Sequence, residues 1–139
     1  MFQKVLVAVD GSDRAMRALE VAARLAKAES ARLVVATVAY VPPLYRVDLN
    51  PELSESFRAS ARLILDDAHK AATRLGTEAE MKLVEDAAPA EGIARLAVDG
   101  GFDLIVLGRR GLNPAEDRTL GGVSDAVLHR TRCSVMLVH

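Results

Sequence analysis

The chain has 139 residues, of which 50% are hydrophobic and 27% are charged, and its formal net charge at pH 7 is −1. A length of this order suits a single domain, spanning residues 1–139, with a core of ordinary size. The near-neutral charge, with lysines and arginines spread along the chain, excludes a general binder of nucleic acid backbones, and the single cysteine excludes an internal disulfide bond.

The first part of the chain predicts two buried strands with a helix between them. Residues 5–9 and 33–38 are unbroken apolar runs rich in β-branched residues, typical of strands covered on both faces in a parallel sheet. Between them, alanine and leucine recur at helical spacing over residues 15–25. Ser12 precedes this stretch as a suitable N-cap, and Asp13 falls in the first turn.

The middle of the chain predicts a longer helix followed by an edge strand. Apolar residues keep the helical period over residues 57–75, and Gly76 stands where a left-handed C-terminal cap would lie. Residues 78–84 alternate between apolar and polar side chains instead, which is typical of an edge strand, where Lys82 would discourage unwanted pairing. The loop before this helix, residues 40–51, contains three prolines and predicts either a lid or a simple linker.

The last part of the chain repeats the alternation of helix and strand. Pro89 predicts the first turn of a short third helix, the apolar runs at residues 104–107 and 135–138 predict two further strands, and residues 123–131 predict a fourth helix. Strands and helices in strict alternation, joined by right-handed crossovers, predict a three-layer, doubly wound α/β fold. Ligands of such folds bind at the carboxyl ends of strands where the winding reverses, which predicts a site at the ends of the first and fourth strands.

Glycines and arginines are concentrated after the fourth predicted strand. The glycines are Gly108, Gly111, Gly121 and Gly122. A glycine after a strand allows a sharp turn or the close approach of a ligand. The first helical turn that follows would present the unpaired amides of Gly122, Val123 and Ser124, which with the helix dipole form an anion site, and arginines such as Arg110 would add charge.

A purely conformational interpretation of these glycines stays open on spacing alone, because glycines also end strands and begin helices. Two common nucleotide fingerprints are absent from the sequence. There is no G-x-x-x-x-G-K-[ST] motif, and no G-x-G-x-x-G motif follows the first strand.

The glycine spacing nevertheless resembles the signature of ATP-binding universal stress proteins, G-x2-G-x9-G-[S/T]. Gly108 and Gly111 supply the first pair, and Gly121 follows after nine residues. The resemblance continues through KVLVAVDGSD near the start, PAEGI from Pro89, and SDAVLHRTRCSVMLV at the end, and so covers essentially the whole chain. On these motifs the sequence is identified as a member of the universal stress protein family.

The resemblance implies a Rossmann-like sheet of five parallel strands in the order 3-2-1-4-5, as in adenine nucleotide alpha hydrolase-like proteins. It also implies an adenosine between the ends of strands one and two, with its phosphates on the glycine loop. By position, it assigns nucleotide binding to Ala8, Asp10, Val38, Leu107, Gly108, Arg110, Gly111, Gly121, Gly122, Val123 and Ser124.

Two of these residues have specific expected roles. Val38 would pack on the base, and the carboxylate of Asp10 would accept a hydrogen bond from a ribose hydroxyl or hold a magnesium-bound water. The alternative for Asp10 is a cap or turn residue of the first helix.

The sequence departs from the signature where serine or threonine should follow the third glycine, because that position is Gly122. A hydrogen bond to a charged phosphate contributes about 1.5 to 3 kcal/mol, so its loss predicts binding weakened about ten- to a hundredfold. Glu116 and Asp117 also fall in the nine-residue stretch, where they either point outward as part of a solvated loop or hold a cation.

No catalytic residue and no metal site of the protein's own are predicted. The histidines lack metal-ligand spacing, and neither Ser12 nor Ser124 has a visible histidine and carboxylate arrangement for a nucleophilic triad. The protein is therefore expected not to be an enzyme, with slow hydrolysis of ATP kept as an alternative.

Location and assembly follow from the ends of the sequence and its apolar runs. The start MFQKVLVAVDGS lacks the regions of a signal peptide, and the longest apolar run, residues 33–41, is too short to cross a bilayer, which predicts a cytoplasmic protein without a membrane partner. An apolar last strand at a sheet edge predicts a homodimer through residues 134–139.

Three functions remain at the level of the sequence. The favoured one is a regulatory stress-response protein that binds ATP, with or without magnesium, or binds ADP, AMP or a cyclic nucleotide instead, and acts on an unknown protein partner. The alternatives are a dimeric interaction module that binds no nucleotide and, less favoured, a slow ATP phosphohydrolase.

Overall fold

The computed structural model describes residues 1–40, 51–85, 88–109 and 122–139. Within these ranges strands and helices alternate strictly. In chain order they are β1 (Lys4–Ala8), α1 (Asp13–Glu29), β2 (Arg32–Val38), α2 (Pro51–Arg74), β3 (Glu80–Val84), α3 (Pro89–Asp99), β4 (Leu104–Gly108), α4 (Gly122–Arg130) and β5 (Ser134–Val138). The strands form one parallel sheet in the order β3-β2-β1-β4-β5, which confirms the predicted fold class and strand order.

Two hydrophobic clusters cover opposite faces of this sheet. Successive side chains of β1 alternate between them, because Val5 and Val7 pack with α1 and α2, whereas Leu6 packs with residues of α3 and α4. All three of these side chains are fully buried. A strand covered on both faces needs apolar residues at every position, which explains the unbroken apolar runs in the sequence.

Several element boundaries differ by a few residues from those that the sequence predicts, including the end of β1 and the start of α2. β1 ends at Ala8, although the Val9 N–H still donates to the Ala36 carbonyl of β2 at 2.8 Å. α2 begins at Pro51, six residues before the predicted stretch, because its first turns are largely polar and show no apolar period. Proline suits a first helical turn, where its missing N–H has no intrahelical partner to lose. Residues 41–50 lie outside the described part of the chain, so the choice between lid and linker stays open.

Ser12 and Gly76 act as the caps that the sequence predicts. The Ala15 N–H donates to the Ser12 hydroxyl at 3.2 Å, and Gly76 after α2 has a left-handed φ of 72°. α1 ends in the same way, but there the left-handed residue is Ser30, with φ of 54°. A side chain at a left-handed position meets the backbone, so Ser30 carries strain that Gly76 avoids.

Exchanging these two C-cap residues is expected to change stability in opposite directions. Ser30→Gly should raise the free energy of unfolding by about 0.5 to 1 kcal/mol, because the relief of strain exceeds the added freedom of the unfolded chain. Gly76→Ser should lower it by a similar amount, since a Cβ there meets only the flexible end of Lys27, at 3.1 Å, and the strain of φ dominates. Urea unfolding of both variants measures this, and a Ser30→Gly protein less stable than the parent would contradict it.

The amino-terminal ends of β1 and β4 are joined by Asp103. Its carboxylate accepts hydrogen bonds from the N–H groups of Gln3 at 2.8 Å and Lys4 at 3.1 Å, and these donors, Gln3 foremost, hold the pKa of the carboxyl below its usual value. The Lys4 ammonium donates to the Gly100 carbonyl at 2.6 Å and lies over the Phe102 ring. These contacts hold β1 and β4 together at their amino-terminal ends, opposite the carboxyl-terminal ends of the strands.

Candidate functional site

A cleft of about 680 Å³ lies at the carboxyl ends of β1, β2 and β4. β1 sits between β2 and β4, and the helices that follow β1 and β4 pack on opposite faces of the sheet, so a crevice forms where the winding reverses. Of the sequence-predicted residues, those that line the cleft are Ala8, Asp10, Val38, Leu107, Gly108, Val123 and Ser124. Gly122 adjoins them as the exposed first residue of α4. Arg110, Gly111 and Gly121 lie outside the described residues.

Part of the cleft lining is apolar. It consists of Ala8 and Val38 at the ends of β1 and β2, with Ile64 from α2 and Ile93 from α3 on opposite faces of the sheet. The Thr37 hydroxyl is buried and donates to the Val9 carbonyl at 2.7 Å, which fixes the ends of β1 and β2 together. A lining of this kind can hold the face of a flat heterocyclic ring.

Asp10 lies in the turn between β1 and α1. One of its carboxylate oxygens accepts from the Ser12 N–H at 2.9 Å, as expected of a turn residue. No other described residue bonds to this carboxylate, and Asp10 lines the cleft, so its second oxygen remains available to a ligand. Gly11 completes the turn with φ of 86°, and a Cβ there would come within 3.3 Å of the Ile64 side chain. The turn therefore leads into α1 and also contributes Asp10 to the lining of the cleft.

The start of α4 supplies the polar wall. Ser124 is only 4% exposed, yet its hydroxyl makes no hydrogen bond within the described part of the chain. Every fully buried polar side-chain atom in the described ranges has a hydrogen-bond partner. The Ser124 hydroxyl has none there, so it is not fully buried, and Ser124 lines the cleft. The first amides of any helix also lack intrahelical partners. Together these donors suit an anion.

Gly108 has a packing role that the glycine spacing does not reveal. A Cβ at this position would lie 2.8 Å from the backbone carbon and oxygen of Arg14 and 3.1 Å from the nitrogen of Ala15. Its φ is not in the left-handed region, so no special turn requires the glycine. Close approach of α1 to the end of β4 is by itself a sufficient reason for glycine here. Gly122 differs, because a Cβ there would have no atom of the described residues within 4 Å.

Several lining residues were missed by reasoning from the sequence, namely Val9, Ser12, Asp13, Arg14, Ala15, Arg17, Thr37, Ile64, Pro89 and Ile93. The residues of α1 had a usable signal, since the helix that follows the first strand must begin at the same edge of the sheet as the cleft. Ile64 had none. Its place in the cleft depends on how α2 packs on the sheet, where Leu65 and Ala68 of the same helix join the core cluster.

The described residues show neither a metal cluster nor a membrane helix. No group of three or more histidine, cysteine, aspartate or glutamate side chains that could hold a metal occurs in these ranges. Among the helices described, none is long and apolar enough to cross a membrane.

Comparison with known proteins gives one consistent result. The model of the universal stress protein family matches residues 1–139. Universal stress protein YxiE of Bacillus subtilis is 34% identical over 152 residues, covering 99% of each chain. A solved universal stress protein in complex with cAMP is 31% identical with a TM-score of 0.77, over 99% of this chain and 97% of that one. The universal stress protein of Archaeoglobus fulgidus in complex with dAMP, at 24% identity over 99% of this chain and 98% of that one, shares the fold with a TM-score of 0.78.

Proposed function

Because the chain belongs to the universal stress protein family, we propose that its cleft binds an adenine nucleotide, ATP foremost, and that the protein is a regulator rather than an enzyme. The observation that carries this proposal is that one cleft combines an apolar lining with the hydroxyl of Ser124, a residue only 4% exposed, which has no partner among the described residues. The 31% identical structure in complex with cAMP supports an adenine nucleotide as the ligand.

The dimensions and chemistry of the cleft suit such a ligand part by part. Its volume of about 680 Å³ falls within the range typical of small-molecule sites. The base would pack between Val38 and Ile64, and the free oxygen of Asp10 would accept from a ribose hydroxyl. The phosphates would lie at the start of α4, next to Ser124. A magnesium ion, if bound, would be carried by the phosphates with Asp10 nearby.

Regulation without turnover is the simplest role for these residues. Asp10 is the cleft carboxylate placed nearest the proposed ribose, and no histidine of the described residues lines the cleft to act as a base. In this proposal the bound nucleotide changes a surface that a protein partner reads in the cytoplasm.

Assembly as a homodimer through residues 134–139 belongs to the same proposal. β5 is an edge strand, and Val135, Met136, Leu137 and Val138 are all only half-buried. Half-covered apolar side chains on an unpaired edge favour a symmetric partner strand. Light scattering of the purified protein, compared with a Leu137→Lys variant, tests this assembly.

Nucleotide binding is tested by equilibrium titration of the protein and its Ser124→Ala variant. We expect the parent to bind ATP with a dissociation constant of about 100 μM. The variant should bind ATP about tenfold more weakly, because it loses a hydrogen bond to charged phosphate. The free energy of unfolding of the unliganded variant should stay within about 0.5 kcal/mol of the parent, because the hydroxyl has no partner to lose in the described part of the chain. Ser60→Ala, on the exposed face of α2, is the matched control.

A flat titration with every adenine nucleotide would reject this proposal. It would favour the nucleotide-independent interaction module, for which Gly122 in the signature is the motivating feature. Release of ADP from bound ATP on the timescale of minutes, abolished in the Ser124→Ala variant, would instead favour the phosphohydrolase.

A further inference from the structure

Two arginines of α1 line the cleft next to the proposed phosphate position. Arg14 and Arg17 are three residues apart, so their side chains lie on one side of the helix. The backbone carbonyl of Arg14 lies against Gly108, as shown by the 2.8 Å that would separate it from a Cβ there. The helix thus brings both arginines beside the end of β4, and Ser124 faces the same cleft from α4.

The position of these arginines within α1 is unfavourable for positive charge. Both fall in the first two turns of α1, where the helix dipole disfavours positive charge, and like charges at this spacing repel each other. Neither forms an ion pair or a side-chain hydrogen bond with a described residue. Arg24, further along the same helix, forms an ion pair with Glu20 at 2.8 Å.

Local conflicts of this kind are common where residues serve a ligand rather than the fold. Guanidinium groups are well suited to phosphate, because they donate two parallel hydrogen bonds and keep their charge. Asp10 and Asp13 line the same cleft, so in the absence of a ligand these two carboxylates offset the charge of the two arginines. One phosphate can be held by the amides of α4, but each further phosphate adds negative charge that needs a further cation.

We infer that Arg14 and Arg17 bind the outer phosphates of the nucleotide and make the cleft selective for polyphosphorylated over monophosphorylated or cyclic adenine nucleotides. The inference rests on the proposed function and deepens it. It also supplies a compensation for the hydroxyl that is missing at Gly122, because charge from α1 would replace a donor from α4.

The test compares ATP with AMP in the full-length protein, by NMR chemical-shift titration in EDTA so that no metal contributes charge. The variants are Arg14→Gln, Arg17→Gln and the double variant, with Arg24→Gln as control on the same helix. We expect the double variant to lose about ten- to a hundredfold in ATP affinity, while its AMP affinity changes less than about twofold. Raising the salt concentration should weaken ATP binding more in the parent than in the double variant.

The outcomes separate this inference from the function on which it rests. If the parent binds both nucleotides and the double variant keeps the parent's ratio of ATP to AMP affinity, the arginines do not read the outer phosphates and the inference is overturned, while nucleotide binding stands. If the parent binds neither nucleotide, the proposed function fails and the inference fails with it. A loss of ATP affinity in Arg24→Gln equal to that in the double variant would assign the effect to general charge and also overturn it.

Discussion

Gly108→Ala is expected to destabilise the protein by about 3 kcal/mol in the absence of any ligand, toward the upper end of the range for overpacked sites. The added methyl group would lie 2.8 Å from the backbone of Arg14. Backbone atoms of a packed helix cannot rotate away, as the end of a side chain can, so α1 must shift from β4 or β4 must distort. Urea unfolding, followed by circular dichroism, measures the change.

The matched control for this variant is Gly122→Ala, at the other described glycine of the signature. No atom of the described residues lies within 4 Å of a Cβ there, and the position opens a helix. Its unfolding free energy should stay within about 0.5 kcal/mol of the parent. Equal free energies of unfolding for the two variants would show that α1 does not pack closely against Gly108. If the expectation holds, variants of Gly108 cannot be used to separate loss of binding from loss of folding.

Gly122→Ser is expected to tighten ATP binding by about ten- to a hundredfold, the contribution of one hydrogen bond to a charged phosphate. Serine or threonine stands at this position in the family signature that the sequence resembles. The open space around Gly122 means that the new hydroxyl needs no rearrangement of described residues. Isothermal titration calorimetry with ATP, on the parent and the variant side by side, measures the gain.

Gly122→Ala serves again as the control, because it adds the carbon without the hydroxyl. An equal gain in both variants would attribute the effect to a stiffer helix start rather than to a hydrogen bond. No gain in either, with the parent still binding ATP, would mean that the phosphates lie away from α4. That result would remove the main support for a phosphate site at Ser124.

The sequence predicts the fold well because the sheet is covered on both faces. β1, β2 and β4 are the inner strands, and their need for apolar residues at every position leaves runs that can be seen without a structure. The start of α2 could not be predicted in the same way. Its first turns carry exposed side chains such as Glu52 and Glu55, and a helix that buries little there leaves no apolar period to detect.

The candidate site was predictable where it is built from strand ends and from the start of α4. Asp10 and Gly108 follow apolar runs directly, so the topology alone brings them to one edge. Ile64 and Ile93 come from helix faces whose orientation depends on packing, and both look like ordinary core residues in the sequence. Gly108 was predicted for a different reason from the one that packing supplies. The roles of Arg110, Gly111 and Gly121, the dimer and the cytoplasmic location stay predictions.

The position of β1 has a consequence for the order of events during synthesis. This strand is made early but occupies the centre of the sheet, and the Gln3 N–H bonds to Asp103, 100 residues further along the chain. A nascent chain on the ribosome therefore holds an apolar central strand with one open side until β4 emerges. Chaperones that shield apolar segments would be needed most in this interval, and premature stop codons before β4 should yield insoluble fragments rather than smaller folded proteins.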